Sequence, residues 1–115
     1  MIIGSISENR NVEKRVAITP DVVKKYLALG LKVNIIKNYA THLGINDIEY
    51  ESQGVQIFHS DEEVISNSNA LLQLNIPNDE NLDKLHKDQI LIGVLDPYVN
   101  SKKLSEISSK NINCF

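Results

Sequence analysis

Apolar residues in this chain fall into short, nearly continuous runs, separated by polar stretches with a helical period. The runs are Ile2–Ile6, Val33–Ile36, Val55–Phe58, Ala70–Leu74, Ile90–Leu95 and Ile112–Phe115. Each is shorter than an ordinary helix and each predicts a strand. Runs that are apolar throughout, rather than alternating, predict strands covered on both faces, as in a parallel sheet. The stretches between them carry start and stop signals. Asp21–Leu29 places Val22, Val23, Tyr26 and Leu27 on one face, behind Thr19 as N-cap and Pro20 at the first helical position, and stops at Gly30. Asn46 with Glu49, and Ser60 with Glu63, have capping-box spacing and open a second and a third helix, the second closing at Gly54. A fourth helix follows Pro77-Asn78, with Asp79 and Glu80 early and His86 and Lys87 late, as the helix dipole favours. Ser101 caps a fifth, ending near Lys110-Asn111.

Regular alternation of strand and helix predicts an α/β fold. It is a Rossmann-like or flavodoxin-like open parallel sheet with helices on both faces. There is no internal repeat, linker or low-complexity segment to divide it.

Composition narrows the function. With 115 residues and 42% hydrophobic content, the chain makes one domain at most, with a modest core. A net charge of -3, with lysines scattered among acids, argues against a nucleic-acid surface. No apolar run approaches the roughly 18 residues of a membrane span, and no charged segment precedes a long apolar one as in a signal peptide. A single cysteine, Cys114, excludes an internal disulfide framework and suits a reducing compartment. Its place in the last apolar run reads as a buried strand thiol.

The chemistry-bearing stretch is the opening one. A strand gives way to a polar loop ending in Lys14-Arg15-Val16-Ala17-Ile18-Thr19-Pro20, so Arg15 stands just outside the carboxyl end of the first strand. Ligands of open α/β sheets bind in that crevice. Only two of the twelve basic residues are arginines, and a guanidinium there can hold a carboxylate bidentately. The structural alternative is a solvated loop arginine beside Glu13. Other candidates are weaker. His42, His59 and His86 are 17 and 27 residues apart, which is no metal-ligand spacing, and no G-x-S-x-G elbow occurs. His42 reads as a solvated loop residue, His59 precedes an N-cap, and His86 suits a helix end. The five glycines never form G-x-G-x-x-G, so a dinucleotide phosphate cradle is missing. The chain stops as a strand begins, which predicts a segment truncated at its carboxyl end.

The Arg15-Val16-Ala17-Ile18-Thr19-Pro20 string resembles the amino terminus shared by alanine dehydrogenases and the α subunit of NAD(P) transhydrogenase. The similarity continues through Leu29–Val33, Tyr50–Val55 and Asn69–Pro77 to Phe115, so it covers essentially the whole chain. The resemblance implies that residues 1–115 form an incomplete amino-terminal domain, with the NAD-binding Rossmann domain and the membrane segments lying elsewhere. It also implies a substrate-binding Arg, a substrate-binding Lys and a catalytic His in alanine dehydrogenases. Arg15 matches the first, but Gln73 and Asp96 occupy the other two positions. Gln73 supplies no positive charge, and Asp96 repels a carboxylate and is ionised at neutral pH unless its pKa is raised. The Leu-Asn-Ile-Pro ending, with Asn75 and Pro77, also resembles transhydrogenases.

The resemblance therefore implies the amino-terminal part of the NAD(H)-binding subunit of a proton-translocating transhydrogenase. Such an enzyme transfers hydride between NADH and NADP+. NAD(H) and NADP(H) serve the whole enzyme, with none bound and no catalytic residue supplied by this segment, which alone is inactive. Arg15 is its candidate ligand residue, and no metal is expected. The implied partners are a second α subunit and the membrane β subunit, with no nucleic acid and no direct membrane insertion. The implied place is the cytoplasmic side of the bacterial inner membrane. The alternatives are an alanine dehydrogenase, converting alanine to pyruvate with NAD, and a non-catalytic α/β module that binds a small anion or a partner.

Overall fold

The capping signals do what their chemistry predicts. Thr19 Oγ1 accepts the Val22 N–H at 3.4 Å, and α1 runs Pro20–Ala28 with Pro20 in the first turn. Its apolar stripe faces inward, Val23 being fully buried and Val22, Tyr26 and Leu27 packing against the core. Gly30 follows at φ +84°, the left-handed turn that glycine adopts without penalty. At α2, Asp47–Glu51, the Glu49 carboxylate accepts the Asn46 backbone N–H at 2.8 Å. At α3, Asp61–Ser66, Ser60 Oγ accepts the Glu63 N–H at 3.3 Å, but the Glu63 carboxylate takes the Ser60 hydroxyl rather than a backbone donor.

A computed structural model describes residues 1–11, 13–74, 79–86, 89–93 and 113–114. The strands are β1 Ile2–Ser5, β2 Lys32–Ile36, β3 Gln56–Phe58, β4 Ala70–Gln73, β5 Ile90–Gly93 and β6 Asn113–Cys114. They form one parallel sheet in the order β3-β2-β1-β4-β5-β6. Ile3 lies opposite Val33 on one side and Ala70 on the other, so β1 is central. Right-handed crossovers then place α1 and α2 on one face, and α3 with α4, Asp79–Asp83, on the other. Asn81 Nδ2 donates to the Asp61 carboxylate at 3.2 Å, tying α4 to α3.

Burial explains why the strands read as unbroken apolar runs. Val33, Asn34, Ile35 and Ile36 are all buried, since both faces of β2 are covered. The polar member, Asn34, donates to the Asn67 carbonyl at 3.1 Å, which offsets its burial.

One expectation is corrected. α4 ends at Asp83, so His86 does not lie in its last turn. Instead the His86 backbone N–H donates to Gln89 Oε1, and Gln89 Nε2 donates to the Ile65 and Ser68 carbonyls. A side chain that closes this turn competes with continued helix, which is why the dipole argument failed. The expectations for Pro77-Asn78, Lys87, Leu95, Asp96, the helix after Ser101, Ile112 and Phe115 lie outside the described residues. Cys114 stands in β6 opposite Leu91, and the burial of its thiol also lies outside them.

Gly4 sets how closely α3 approaches the sheet. A Cβ there falls 2.2 Å from Ser68 Oγ and 2.9 Å from Ser68 Cβ, and Ser68 Oγ is itself bonded to the Val64 carbonyl. Gly4→Ala is expected to cost about 1–3 kcal/mol, the usual penalty of overpacking. In a Ser68→Gly background the penalty should shrink. Urea unfolding of the four proteins measures both effects, and equal penalties in the two backgrounds would refute the close-approach argument.

Candidate functional site

The strand order reverses between β1 and β4, where β2 and β3 extend one way and β5 the other. In open α/β sheets the crevice at the carboxyl ends of such a pair is where ligands bind. Here it is bounded by residues 6–19 leaving β1, by the residues after β2, and by the end of β4.

Three side chains knit these segments together. Tyr39 is buried, and its hydroxyl accepts the Ala17 and Ile18 backbone N–H groups at 3.1 and 3.2 Å. With both lone pairs taken, the phenol directs its proton to Ser5 Oγ at 2.8 Å. Ser5 in turn donates to the Leu72 carbonyl at 2.7 Å or to Gln73 Oε1 at 3.1 Å. Gln73, also buried, accepts the Ile6 N–H at 2.8 Å and donates to the Ile6 carbonyl at 3.0 Å and to the Glu8 carboxylate at 2.5 Å. The Leu74 N–H adds a second bond to Glu8 at 3.1 Å. Burial is the main reason the Tyr39 phenol is pushed up to about 12, so it stays protonated as the chain of bonds requires.

Local sequence explains how Tyr39 arrives there. Asn38 adopts φ 58°, a left-handed conformation that asparagine tolerates, and turns the chain at the end of β2. The Asp47 carboxylate accepts the Asn38 N–H, and Arg10 donates to the Asn38 and Tyr39 carbonyls. Tyr50 packs edge-on against Tyr39, with ring centres 5.9 Å apart, and donates to the Ile18 carbonyl at 2.8 Å. Burial raises the Tyr50 pKa as well.

Arg15 lies on the rim of this assembly. Its Nε and Nη2 donate to the two oxygens of Glu13 at 3.0 and 2.9 Å, and its backbone N–H to the same carboxylate at 2.9 Å. The Arg15 side chain is 79% exposed and that of Glu13 only 14%. The guanidinium bonds hold the Glu13 carboxyl down at about 2 and raise Arg15. His42 is exposed in a 3-10 turn, Thr41–Leu43, and its Nε2 is 2.7 Å from the Lys14 carbonyl. His59 is exposed ahead of Ser60. Among the described residues no cluster of His, Cys, Asp and Glu is arranged to hold a metal.

A dinucleotide pyrophosphate does not fit the described residues. Gly4 makes room for Ser68 rather than for a phosphate turn, and the N-terminus of α1 is filled by Thr19 and Pro20. Sequence pattern singles out Arg15 and the family resemblance points to Gln73, but both miss Ser5, Glu8, Tyr39 and Tyr50.

Relatives of known family share this architecture and this stretch of sequence. Residues 4–115 match the model of the family described as alanine dehydrogenase/PNT, N-terminal domain. The chain belongs to this family. Similar relatives include an NAD(P) transhydrogenase subunit alpha polypeptide from Rickettsia prowazekii, 28% identical over 120 residues, covering 100% of this chain and 31% of that protein. The alanine dehydrogenase of Methanococcus maripaludis is 33% identical over 95 residues, covering 83% of this chain and 26% of that protein. Among solved structures, the transhydrogenase from Sinorhizobium meliloti superposes with a TM-score of 0.91 at 23% identity, covering 100% of this chain and 34% of that one. An L-alanine dehydrogenase gives 0.90 at 23%, covering 99% and 31%. The chain thus spans about a third or less of the alanine dehydrogenase/PNT relatives it matches. Those relatives are oxidoreductases, and the fold expected from the alternating pattern is the one their domain has.

Two measurements check the site. Tyr39→Phe leaves the Ala17 and Ile18 N–H groups without their acceptor and should cost about 1–3 kcal/mol in urea unfolding. It should also speed hydrogen exchange at those two amides specifically. The second concerns pH. A folded-state carboxyl depressed from 4.5 to about 2 contributes stability above pH 4.5 that is lost as the pH falls through that window. In Arg15→Gln the Glu13 carboxyl, followed by carbon-detected NMR, should titrate above its wild-type value of about 2 but short of 4.5, because the backbone N–H of residue 15 still donates to it. A value remaining near 2 would show that Arg15 is not its cause.

Proposed function

We propose that this chain is the amino-terminal part of the NAD(H)-binding subunit of a proton-translocating NAD(P) transhydrogenase. The observation that carries the reading is the environment of Gln73. This position corresponds, by resemblance, to the substrate-binding lysine of alanine dehydrogenases. Gln73 both accepts the Ile6 N–H and donates to the Ile6 carbonyl and Glu8. An ammonium group donates only, so a lysine here would leave the buried Ile6 N–H without that acceptor. The side chain is built into the carboxyl end of the sheet and offers no cation to a 2-oxo acid. Asp96, at the position of the catalytic histidine, supports the same reading by its chemistry.

In this reading the segment forms one wall of a cleft, and a separate Rossmann domain of the whole subunit supplies the nucleotide site. NAD(H) and NADP(H) then serve the assembled enzyme, whose hydride transfer is coupled to proton movement through a membrane subunit. The protein works as a homodimer of such subunits with its β partner, on the cytoplasmic side of a bacterial inner membrane. Among the described residues no helix is long and apolar enough to cross a membrane, so this reading assigns the spanning segments to other parts of the assembly. Arg15 is the residue of this wall that meets a planar acceptor, a carboxylate, brought by another part of the assembly.

The test is made on the full-length subunit of the source genome, reassembled with its partner subunit. Reduction of an NAD analogue by NADPH is the expected activity. Oxidative deamination of alanine should be undetectable, since a missing charged hydrogen bond is worth about 1.5–3 kcal/mol and missing acid–base catalysis about 10²–10⁴-fold. Robust NADH-dependent amination of pyruvate would establish an alanine dehydrogenase instead.

A further inference from the structure

The peptide unit joining Lys14 to Arg15 is held at both ends. Its carbonyl meets His42 Nε2 at 2.7 Å, and its N–H donates to the Glu13 carboxylate at 2.9 Å. A carbonyl oxygen only accepts, so the histidine nitrogen facing it carries a proton. Both anchors are themselves tied down. The Glu13 N–H donates to the Asn9 carbonyl at 2.8 Å. His42 stands in the 3-10 turn Thr41–Leu43, where the Leu43 and Gly44 N–H groups donate to the Ala40 and Thr41 carbonyls, both at 3.0 Å. Further along the loop, the Tyr39 hydroxyl takes the Ala17 N–H. Arg15 thus leaves the chain between a fixed peptide plane and a fixed amide, while its side chain is 79% exposed. One hydrogen bond at an exposed site adds little to global stability. Its consequence is local, in the direction it gives to the next residue.

We propose that His42 is a positioning residue for Arg15: with Glu13 it clamps the Lys14–Arg15 peptide plane and so fixes the direction in which the guanidinium is offered to a carboxylate. The inference rests on the reading of Arg15 as a ligand residue. A long, exposed side chain on a free loop would lose both backbone and rotamer freedom on meeting its ligand. With the peptide plane set in advance, the backbone share of that loss falls on folding instead. The clamp joins the loop after β1 to the turn after β2, so the second loop acts as the support of the first. It serves a free 2-oxo acid and a carboxylate presented by another part of the assembly in the same way.

The experiment uses the full-length subunit and residue-resolved hydrogen exchange. His42→Phe keeps a ring and removes the donor, whereas His42→Gln keeps an N–H donor of similar reach. In His42→Phe the Arg15 amide should exchange about two- to tenfold faster, the span of one ordinary hydrogen bond. The Gly44 and Ile45 amides, bonded to the Thr41 and Ala40 carbonyls, should keep their rates. His42→Gln should restore the Arg15 rate. Equal acceleration in both variants, acceleration in neither, or acceleration of the turn amides in step with Arg15 overturns the proposal. A second arm measures pyruvate binding by the subunit and the affinity of the subunit for its partner subunit. Arg15→Gln should weaken one of these, and which one distinguishes a free carboxylate from a presented one. His42→Phe should weaken the same one about two- to tenfold, and His42→Gln should not. If Arg15→Gln weakens one and His42→Phe neither, the positioning role fails and the ligand role of Arg15 stands. If Arg15→Gln weakens neither, the ligand reading falls and the positioning role falls with it.

Discussion

The hydroxyl of Tyr39 is the point on which the carboxyl edge of this sheet depends. It is a buried polar atom that would cost free energy if left unpaired, and all three of its hydrogen-bonding positions are used. Because it accepts from consecutive backbone amides, it fixes the path of the chain into α1. Because it must give its proton to Ser5, it orients a second hydroxyl toward β4. The long connection between β1 and α1 is also tied at Glu8, Arg10, Lys14 and Ile18. With Tyr39 in place, its end is tied to the loop after β2 and, through Ser5, to the sheet itself.

Gln73 extends the same logic across the switch point. A glutamine is the one side chain of its length that both donates and accepts in a fixed plane. It satisfies the Ile6 N–H and carbonyl, which have left the β1 ladder, and reaches Glu8 beyond them. The parallel sheet thus gains a side-chain rung where its backbone rungs end. Polar networks of this sort are stabilising only when complete, and Tyr39, Ser5 and Gln73 all have their partners. The bonding capacity that would otherwise face a ligand is turned inward.

Most of the fold was legible because local and global signals agree. Unbroken apolar runs marked the strands, and Thr19, Asn46 and Ser60 marked the helix starts within a residue. The failure at His86 has a local cause that no dipole rule contains: Gln89 closes the turn by bonding the His86 N–H. The site was less legible. Arg15 stood out by type and place, and its neighbour Glu13 was named as the competing partner. Tyr39 carried no motif, since an aromatic after a strand reads as core. Only the long-range pairing of residues 5, 17, 18 and 39 shows its role, and contacts at such separations leave no periodicity in the sequence.

The strand order is the one on which dinucleotide-binding sheets are built, yet the β1 exit lacks the glycine cradle such sites use. The difference lies in what the first glycine does. Gly4 admits Ser68 and α3 to the sheet instead of admitting a pyrophosphate. Once that space is filled, the loop after β1 need not turn tightly into a helix. It can run outward as residues 6–19, carry Glu13 and Arg15 to the rim, and return to α1 under the hold of Tyr39. In the proposed reading a fold suited to one ligand class thereby serves as a wall, with the polar groups of Tyr39, Ser5 and Gln73 satisfied internally and Arg15 exposed. Packing at Gly4 and hydrogen bonding at Tyr39 are enough to produce that division of labour in this member of the alanine dehydrogenase/PNT family.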